Sequence, residues 1–503
     1  MGSVLLRETV AYRVSPAGIV RIGSFKDISQ FEAHLQASNL NIPYDRALAS
    51  STESPLLEPL ARGPFRIGNR IAVQPMEGWD GTADGNPSEN TVRRWRRFGQ
   101  TGGKLIWGGE AVAVSDNGRA NPNQLVAAPR TAKGLTKLRS ALIEEHQRTT
   151  GSDRDLLIGL QLTHSGRYSR PHDHHRAEPK ILYHHPILDQ RLKLPADYPL
   201  LTDSEIEVII QDFHRAAALA WNLGFDFVDI KHCHGYLGHE FLSARTRQGR
   251  YGGSYENRTR FLREVVQGIR SLAPRLHIGV RLSAFDTIPF RPAPEIREPG
   301  TKQGVSRGVP ETTDAMLPYC WGFGVNPANP TELHLEEPAR FLSLLRELGI
   351  ALVNLTAGSP YYNPHIQRPA LYPPSDGYSP PEDPLVGVVR QMEVTRQLKR
   401  QFPDLIIVGS AYSYLQDFLP YVAQAAVREE WVDCVGLGRM LLAYPEVLWH
   451  ASGGLAIERK RICRTFSDCT TAPRNGLPSG CYPLDNHYKN SPQAEQLRLV
   501  KKG

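Results

Sequence analysis

The sequence predicts an α/β protein built on a (β/α)8 TIM barrel, and two observations support this. Short apolar runs of strand length alternate with longer amphipathic segments from Arg66 onward, and such alternation implies parallel pairing. Polar side chains also gather where several runs end, as they do at the active-site face of such barrels. A doubly wound open sheet would alternate too, but no Gly-rich dinucleotide fingerprint follows the first run, so the barrel is favoured.

Eight runs have the length and apolarity of buried strands. They are Arg70–Met76, Lys104–Trp107 with Ala111–Val114, Leu156–Leu162, Phe225–Ile230, His277–Leu282, Ala351–Leu355, Leu405–Val408 and Val432–Leu437. Helices are predicted at Glu205–Leu223, Glu256–Ile269, Pro338–Leu348, Leu385–Gln401 and Leu415–Val427. The spacing of Thr202 and Glu205 is that of a capping box, which marks the start of the first of these helices.

Three long connections, at 163–201, 283–349 and 358–384, leave the carboxyl ends of the third, fifth and sixth runs. We expect these capping loops to roof one mouth of the barrel. The chain then divides into an N-terminal extension at 1–61, the barrel at 62–455 and a Cys-containing C-terminal tail at 456–503.

Composition narrows the class of protein. The 503 residues carry 59 Lys and Arg against 52 Asp and Glu, a net charge of +7 that is too modest and dispersed to favour a nucleic-acid partner. The densest basic run, 93–97, is predicted to be a solvated helix face. No apolar run has the length of a membrane span, and the N-terminus shows no secretory signal. With six Cys residues, these features indicate a cytoplasmic protein with reduced thiols; the oligomeric state, including a homo-oligomer, stays open.

The end of the fourth run is the most polar strand tip in the chain. Lys231, His232, His234 and Tyr236 follow the buried run directly. Burying several such side chains is costly, so their concentration at a strand's carboxyl end predicts an active site.

The ends of the last two runs are rich in glycine. Gly409, Gly436 and Gly438 allow backbone N–H groups to approach an anion, and Arg439 adds positive charge. Loops after the seventh and eighth strands are the usual phosphate site of such barrels, so a bound phosphate is predicted there.

These strand ends resemble those of the Old Yellow Enzyme family of NADH:flavin oxidoreductases. The resemblance covers residues 62–450 and rests on an ordered series of motifs: Q-P-M-E-G (74–78), G-G-E-A-V-A-V (108–114), G-L-Q-L-T-H-S-G-R (159–167), C-H-G-Y-L-G-H-E-F-L-S (233–243), Y-G-G-S-Y-E-N-R-T-R-F (251–261), V-R-L-S (280–283) and G-L-G-R (436–439). The motifs at 233–243 and 251–261 are very specific together, whereas G-L-G-R alone would be weak.

The resemblance implies non-covalently bound FMN in the barrel mouth, reduced by NADH or NADPH. Arg281 would lie near the flavin edge that collects negative charge on reduction, where a fixed cation makes physical sense. The implied FMN-binding residues are Pro75, Met76, Glu110, Ala111, Gln161, Arg281, Gly409, Ser410, Gly438 and Arg439.

The resemblance also implies the chemistry, which is ene-reductase-type reduction of an electron-poor alkene. His234, with Lys231 or His232, would polarise the acceptor oxygen, and Tyr236 would donate a proton. Lys231 departs from the family pattern, which has His there. It would polarise the acceptor oxygen more strongly, bind a substrate carboxylate, or pair with Glu77, itself a departure from the usual Thr or Cys.

Several alternatives stay open at this stage. An FMN-dependent dehydrogenase or demethylase would have the same fold. From another class, His232-x-His234 resembles the ligands of a metal-dependent hydrolase, although no metal is expected. The His residues after the third run (His172, His174, His175, His184 and His185) are expected to be exposed or to cap local hydrogen bonds. Cys463, Cys469 and Cys481 supply three thiolates where a four-iron cluster needs four, so no iron–sulfur cluster is expected.

Overall fold

The computed structural model describes residues 19–293, 306–311 and 314–501. Eight parallel strands form a closed barrel: β1 (Ile71–Val73), β2 (Leu105–Ile106 and Ala111–Ala113), β3 (Leu157–Thr163), β4 (Phe227–Ile230), β5 (His277–Ser283), β6 (Leu352–Thr356), β7 (Ile406–Gly409) and β8 (Cys434–Leu437). Each strand pairs with the next in sequence, and β8 pairs with β1. The predicted fold class is confirmed, and every predicted run overlaps one of these strands, with the observed strand ending at most one residue beyond the run.

Helices follow the strands and cover the outside of the barrel. The principal ones are Glu89–Gly99, Ala132–Thr150, Asp203–Asn222, Arg260–Leu272, Glu336–Glu347, Pro384–Gln401, Leu419–Arg428, Arg439–Ala443 and Val447–Ser452. The predicted capping box is present, since Thr202 accepts from the Glu205 N–H at 3.2 Å and Glu205 accepts from the Thr202 N–H at 2.8 Å. Short helices lie in the loops at Pro186–Arg191, Leu237–Leu242, Tyr255–Arg258 and Pro364–Gln367.

The two apolar clusters of the barrel lie on opposite faces of its strands. The larger joins alternate strand residues to the helices. The smaller gathers inward residues such as Trp107 and Phe227 with a hairpin, Leu60–Arg62 and Phe65–Ile67. This hairpin packs against the amino-terminal end of the strands, where the Phe65 ring lies 4.6 Å from the ring of His277. The other end of the barrel is therefore the open one.

The N-terminal extension contains a helix, Ile28–Ala37, that the sequence analysis missed. Asp27 accepts a hydrogen bond from the Gln30 N–H at 3.0 Å, as a helix N-cap does. Phe31 is fully buried and stacks on Phe418 with ring centroids 4.6 Å apart. The predicted boundary at residue 61 falls inside the hairpin, and residues 1–18, which bear on the absence of a signal, lie outside the described residues.

The prediction that the arginines of 93–97 form a solvated helix face is wrong for one of them, Arg94. Arg94 is buried, because its guanidinium forms ion pairs at 2.6 Å with both Asp80 and Glu110. Trp95 is fully buried on the same helix. Two carboxylates therefore compensate the buried cation.

The C-terminal tail folds back over the mouth of the barrel. Its helices are Asp468–Arg474, Asn486–Lys489 and Pro492–Val500. Arg93 anchors it through a bidentate ion pair with Asp485, with N–O distances of 2.8 and 2.9 Å. In the part of the chain that the structure describes, no helix is long and apolar enough to cross a membrane.

Candidate active site

One cavity opens at the carboxyl ends of the strands and receives residues from all eight of them. The predicted residues that line it are Pro75, Met76, Ala111, Gln161, Lys231, His234, Tyr236, Arg281, Ser410, Gly438 and Arg439. The structure therefore brings together side chains that are up to 364 positions apart in the sequence (439 less 75).

Two predicted residues lie behind the cavity wall. Glu110 points away, because its carboxylate pairs with Arg94 and accepts from the Gly78 N–H at 3.0 Å. Gly409 does not line the cavity; its carbonyl accepts from the Gln74 side chain at 3.2 Å. A Cβ on Gly409 would lie 2.7 Å from the side chain of Val432, so packing alone accounts for this glycine.

A buried carboxylate on β4, which does not itself line the cavity, contacts two residues that do. Asp229 accepts hydrogen bonds at 2.6 Å from the Gln161 side chain and from the Arg281 backbone N–H. Burial raises the pKa of Asp229 to about 6, because no water stabilises its charged form. Arg281 has a buried Nε without a hydrogen-bond partner among the described residues, so its side chain keeps a donor for a ligand.

The arginine end of the cavity consists of Arg368 and Arg439. Arg439 donates from Nη2 to the Pro369 carbonyl at 2.8 Å, but its buried Nη1 has no partner in the described chain. Arg368 donates to Thr470 in the C-terminal tail. Burial and the neighbouring Arg439 both lower the pKa of Arg368. Within the described residues, neither guanidinium lies within 4 Å of a carboxylate, which favours an anionic ligand here.

The tyrosine end consists of Tyr236, Tyr361, Glu77 and Lys231. The Tyr236 hydroxyl lies 2.9 Å from that of Tyr361 and donates to Glu77 Oε2 at 3.1 Å. Lys231 Nζ lies 3.4 Å from Glu77 Oε2 and 3.8 Å from the centre of the Tyr236 ring. Of the alternatives for Lys231, the structure therefore shows the pairing with Glu77. Burial, and then the Glu77 charge, raise the pKa of Tyr236 well above its usual range.

The hypothesis that His232 and His234 face one metal ion is wrong. His234 has a φ of +66°, so the alternation of an extended strand fails between the two residues. His234 lines the cavity, 3.4 Å from Thr356 Oγ1, whereas His232 packs outside against Phe261 and Phe341. His232 therefore cannot polarise a substrate either. Among the described residues, no group of three or more His, Cys, Asp or Glu side chains could hold a metal ion.

The His-rich loop is largely structural, as expected. His185 accepts from the Ile187 N–H at 3.2 Å and caps a helix, and its other nitrogen lies 3.0 Å from the Tyr319 hydroxyl. His184 pairs with Asp189 at 2.7 Å. His174 and His175 border a second cavity beside the first.

The family model of the NADH:flavin oxidoreductase / NADH oxidase family matches residues 55–299. Over these residues, which are just under half of the chain, the sequence resembles that family. An NADPH dehydrogenase of Geobacillus sp. (strain WCH70) is 34% identical over 250 residues, which are 47% of this chain and 65% of the relative. The putative 12-oxophytodienoate reductase 4 of Oryza sativa subsp. japonica is 31% identical over 251 residues, 48% of this chain and 62% of the relative. The match thus spans less than two thirds of these relatives.

Solved structures share the fold of this chain. A 2-naphthoyl-CoA reductase in complex with 2-naphthoyl-CoA superimposes with a TM-score of 0.62 at 18% identity, covering 87% of this chain and 57% of that one. Histamine dehydrogenase from Rhizobium sp. 4-9 gives a TM-score of 0.59 at 19% identity, covering 88% and 53%. At these identities the likeness extends to the barrel architecture alone.

The cavity is also lined by residues that the sequence did not predict. Gln74, Arg368 and Gln367 line the cavity from loops, and the tail adds Cys469, Thr470, Pro473, Arg474 and Ser479. From the sequence, Cys469 was considered only as a ligand of an iron–sulfur cluster. All six cysteines are free thiols, and burial raises the pKa of Cys463.

Proposed function

We propose that this chain is an FMN-dependent NAD(P)H oxidoreductase that reduces an electron-poor alkene, such as an α,β-unsaturated carbonyl or nitro compound. One observation carries the proposal. A single cavity combines two arginines that have no carboxylate partner among the described residues at one end with a buried, hydrogen-bonded phenol at the other. Similarity to the NADH:flavin oxidoreductase family supports the cofactor class, and the relatives' names support NADPH and an unsaturated carbonyl compound.

The residues present fit FMN. The arginine end would hold the phosphate. Arg439 Nη1 and Arg368 Nε are buried donors that have no hydrogen-bond partner among the described residues, and an anion would accept from them. Ser410 and Gly438 would border the same group. Pro75, Met76 and Ala111 would lie along the ring system, and Gln161 and Arg281 would bond its polar edge. When bound, FMN supplies hydride transfer, first from NAD(P)H and then to the β-carbon of the alkene.

The tyrosine end would hold the acceptor. His234 and the Lys231 ammonium offer donors to the carbonyl or nitro oxygen, which gains negative charge as the hydride arrives. Tyr236 would give its hydroxyl proton to the α-carbon. The Lys231 ammonium, 3.8 Å from the Tyr236 ring centre, would stabilise the phenolate that this transfer leaves. Tyr361, at 2.9 Å, would donate a hydrogen bond to the same oxygen.

The pairing of Glu77 with Lys231 favours reduction over amine oxidation on the same fold. A flavin dehydrogenase for amines benefits from a free carboxylate that binds the substrate cation. Here the Glu77 carboxylate already lies 3.4 Å from an ammonium and accepts from Tyr236. A neutral acceptor suits this arrangement better. We also infer a reducing, cytoplasmic location, which the six free thiols support.

The test begins with the purified protein. We expect a yellow protein that releases FMN on denaturation, is bleached by NADPH without oxygen, and regains its colour with 2-cyclohexenone. A colourless protein that holds zinc would contradict the proposal. A flavoprotein that NADPH cannot reduce but an amine can would assign the chain to the dehydrogenases instead.

A further inference from the structure

A second cavity, the outer cavity, adjoins the active site. Its volume is about 330 Å³, and it shares four residues with the active-site cavity: Trp79, Tyr361, Pro473 and Arg474. Its walls include the apolar side chains of Ala120, Leu188 and Leu192. The outer cavity is therefore the neighbouring space for the far end of a long molecule whose reacting group lies at the tyrosine end.

The outer cavity has an excess of positive charge. Three arginines line it, and two of them have carboxylate partners: Arg191 pairs with Glu311, and Arg474 pairs with Asp376. Arg170 forms no ion pair with any described residue, and its buried Nε has no hydrogen-bond partner there. Asp376 is the only carboxylate among the described lining residues. A half-buried guanidinium without a counter-charge favours an anion from outside the chain.

Contacts between aromatic rings place Arg170 relative to the reacting end. The Tyr236 hydroxyl meets that of Tyr361 at 2.9 Å. The Tyr361 ring stacks on Tyr168 with centroids 3.8 Å apart. Arg170 follows Tyr168 by two residues and lines only the outer cavity of the two. Tyr361 therefore separates the proposed proton donor from the free guanidinium.

We propose that Arg170 binds a carboxylate or phosphate at the far end of a molecule that occupies the active site. The proposal deepens the proposed function, on which it rests, because it assigns an anionic tail to the substrate class. A guanidinium suits both groups, since its two parallel N–H donors match two oxygens. The anion belongs either to the acceptor or to the 2′-phosphate of NADPH, and the experiment separates these sources.

The binding test uses two saturated ketones that cannot be reduced, decan-2-one and 9-oxodecanoate. They differ only in that a carboxylate replaces the terminal methyl group. Calorimetry on the purified protein should show that Arg170→Gln weakens 9-oxodecanoate binding about 10- to 100-fold and changes decan-2-one binding less than about twofold. About 0.5 M NaCl should reduce the wild-type preference for the carboxylate. Arg176→Gln is the matched control, because Arg176 is on the same loop, 76% exposed, and does not line the cavity.

Anaerobic reduction and reoxidation identify the source of the anion. Slower reoxidation by 9-oxodec-7-enoate, but not by dec-3-en-2-one, would assign the site to the acceptor. A loss in Arg170→Gln confined to reduction by NADPH, with NADH unchanged, would assign it to the reductant. Equal effects on charged and neutral ligands, or no effect on 9-oxodecanoate binding together with no effect on reduction by NADPH, would overturn the proposal. Because calorimetry does not require turnover, a protein that binds 9-oxodecanoate through Arg170 but reduces no enone would refute only the proposed function.

Discussion

The two ends of the active-site cavity balance buried charge in opposite ways. At the arginine end, Arg368 and Arg439 have no carboxylate within 4 Å among the described residues. Burial lowers the pKa of both guanidinium groups, and the charge of Arg439 lowers the pKa of Arg368 further. At the tyrosine end, Lys231 has Glu77 at 3.4 Å. The first end is incomplete without an anionic ligand, whereas the second is neutral as a pair. A cofactor with a phosphate and an uncharged acceptor group suit these two environments respectively.

The largest expected effect comes from the proton donor at the tyrosine end. Tyr236→Phe should slow reoxidation of the reduced protein by an enone about 10²- to 10⁴-fold, because it removes the proton that the α-carbon receives. Flavin reduction by NADPH should change little. Stopped-flow absorbance of the two half-reactions measures both. Tyr168→Phe is the control, since the Tyr168 hydroxyl is buried without a hydrogen-bond partner in the described chain. Equal loss in both half-reactions would argue against proton donation.

A smaller effect is expected at the arginine end. Arg439→Gln should weaken FMN binding about a hundredfold, since a charge-assisted bond to a phosphate contributes about 1.5–3 kcal/mol. Riboflavin, which has no phosphate, should bind the variant and the wild type alike. Fluorescence titration of the deflavinated protein gives both dissociation constants. A parallel loss of riboflavin binding would mean that Arg439 supports the cavity wall and not the phosphate.

The third prediction tests whether Glu77 and Lys231 compensate each other's charge at the tyrosine end. Glu77→Gln leaves the Lys231 ammonium, 4% exposed, without its partner, and should lower the free energy of unfolding by about 2 kcal/mol. The double variant Glu77→Gln with Lys231→Met should recover most of this loss. For comparison, Glu89→Gln breaks a pair whose members are 51% and 81% exposed and should cost less than about 0.5 kcal/mol. Urea denaturation at constant pH supplies the values; additive effects of the two substitutions would show that the pair is uncoupled.

The smallest effect concerns the buried carboxylate of Asp229. Burial raises the pKa of Asp229 from 3.8 to about 6, so the folded protein holds this proton more tightly than the unfolded chain does. The stability from this group is complete below pH 4 and is lost as the pH rises through 6. Asp229→Asn cannot ionise, so its stability relative to wild type should rise by about 1–2 kcal/mol between pH 4 and pH 7. Denaturation at both values measures this, with exposed Asp153→Asn as control; a constant difference would refute the shift.

The barrel could be predicted from the sequence because its strands are short, apolar and buried on both faces. Such runs stand out whatever surrounds them, and all eight were found. The helix at Ile28–Ala37 was missed because a single amphipathic helix after an unpatterned start gives a weak signal. Its N-cap at Asp27 and the spacing of Phe31 and Leu35 were the available clues.

Residues of the candidate site could be predicted where they directly follow a barrel strand, but not where they lie in irregular loops. Lys231, His234 and Tyr236 follow β4 directly, so topology alone brings them to the mouth. The expectation that His232 and His234 face the same way was wrong, because the positive φ at His234 breaks the alternation of side chains along the strand. No residue type predicts that angle. Arg368 could not be found, since only the tertiary packing of an irregular loop places it beside Arg439.

The tail over the arginine end has a consequence for how the protein is made. Thr470, which accepts a hydrogen bond from Arg368, and Cys469 follow the last barrel strand, Cys434–Leu437, in the chain. A ribosome delivers them only after the eight strands have been synthesised. This part of the cavity wall is therefore added last, and a nascent chain that ends at β8 still lacks it.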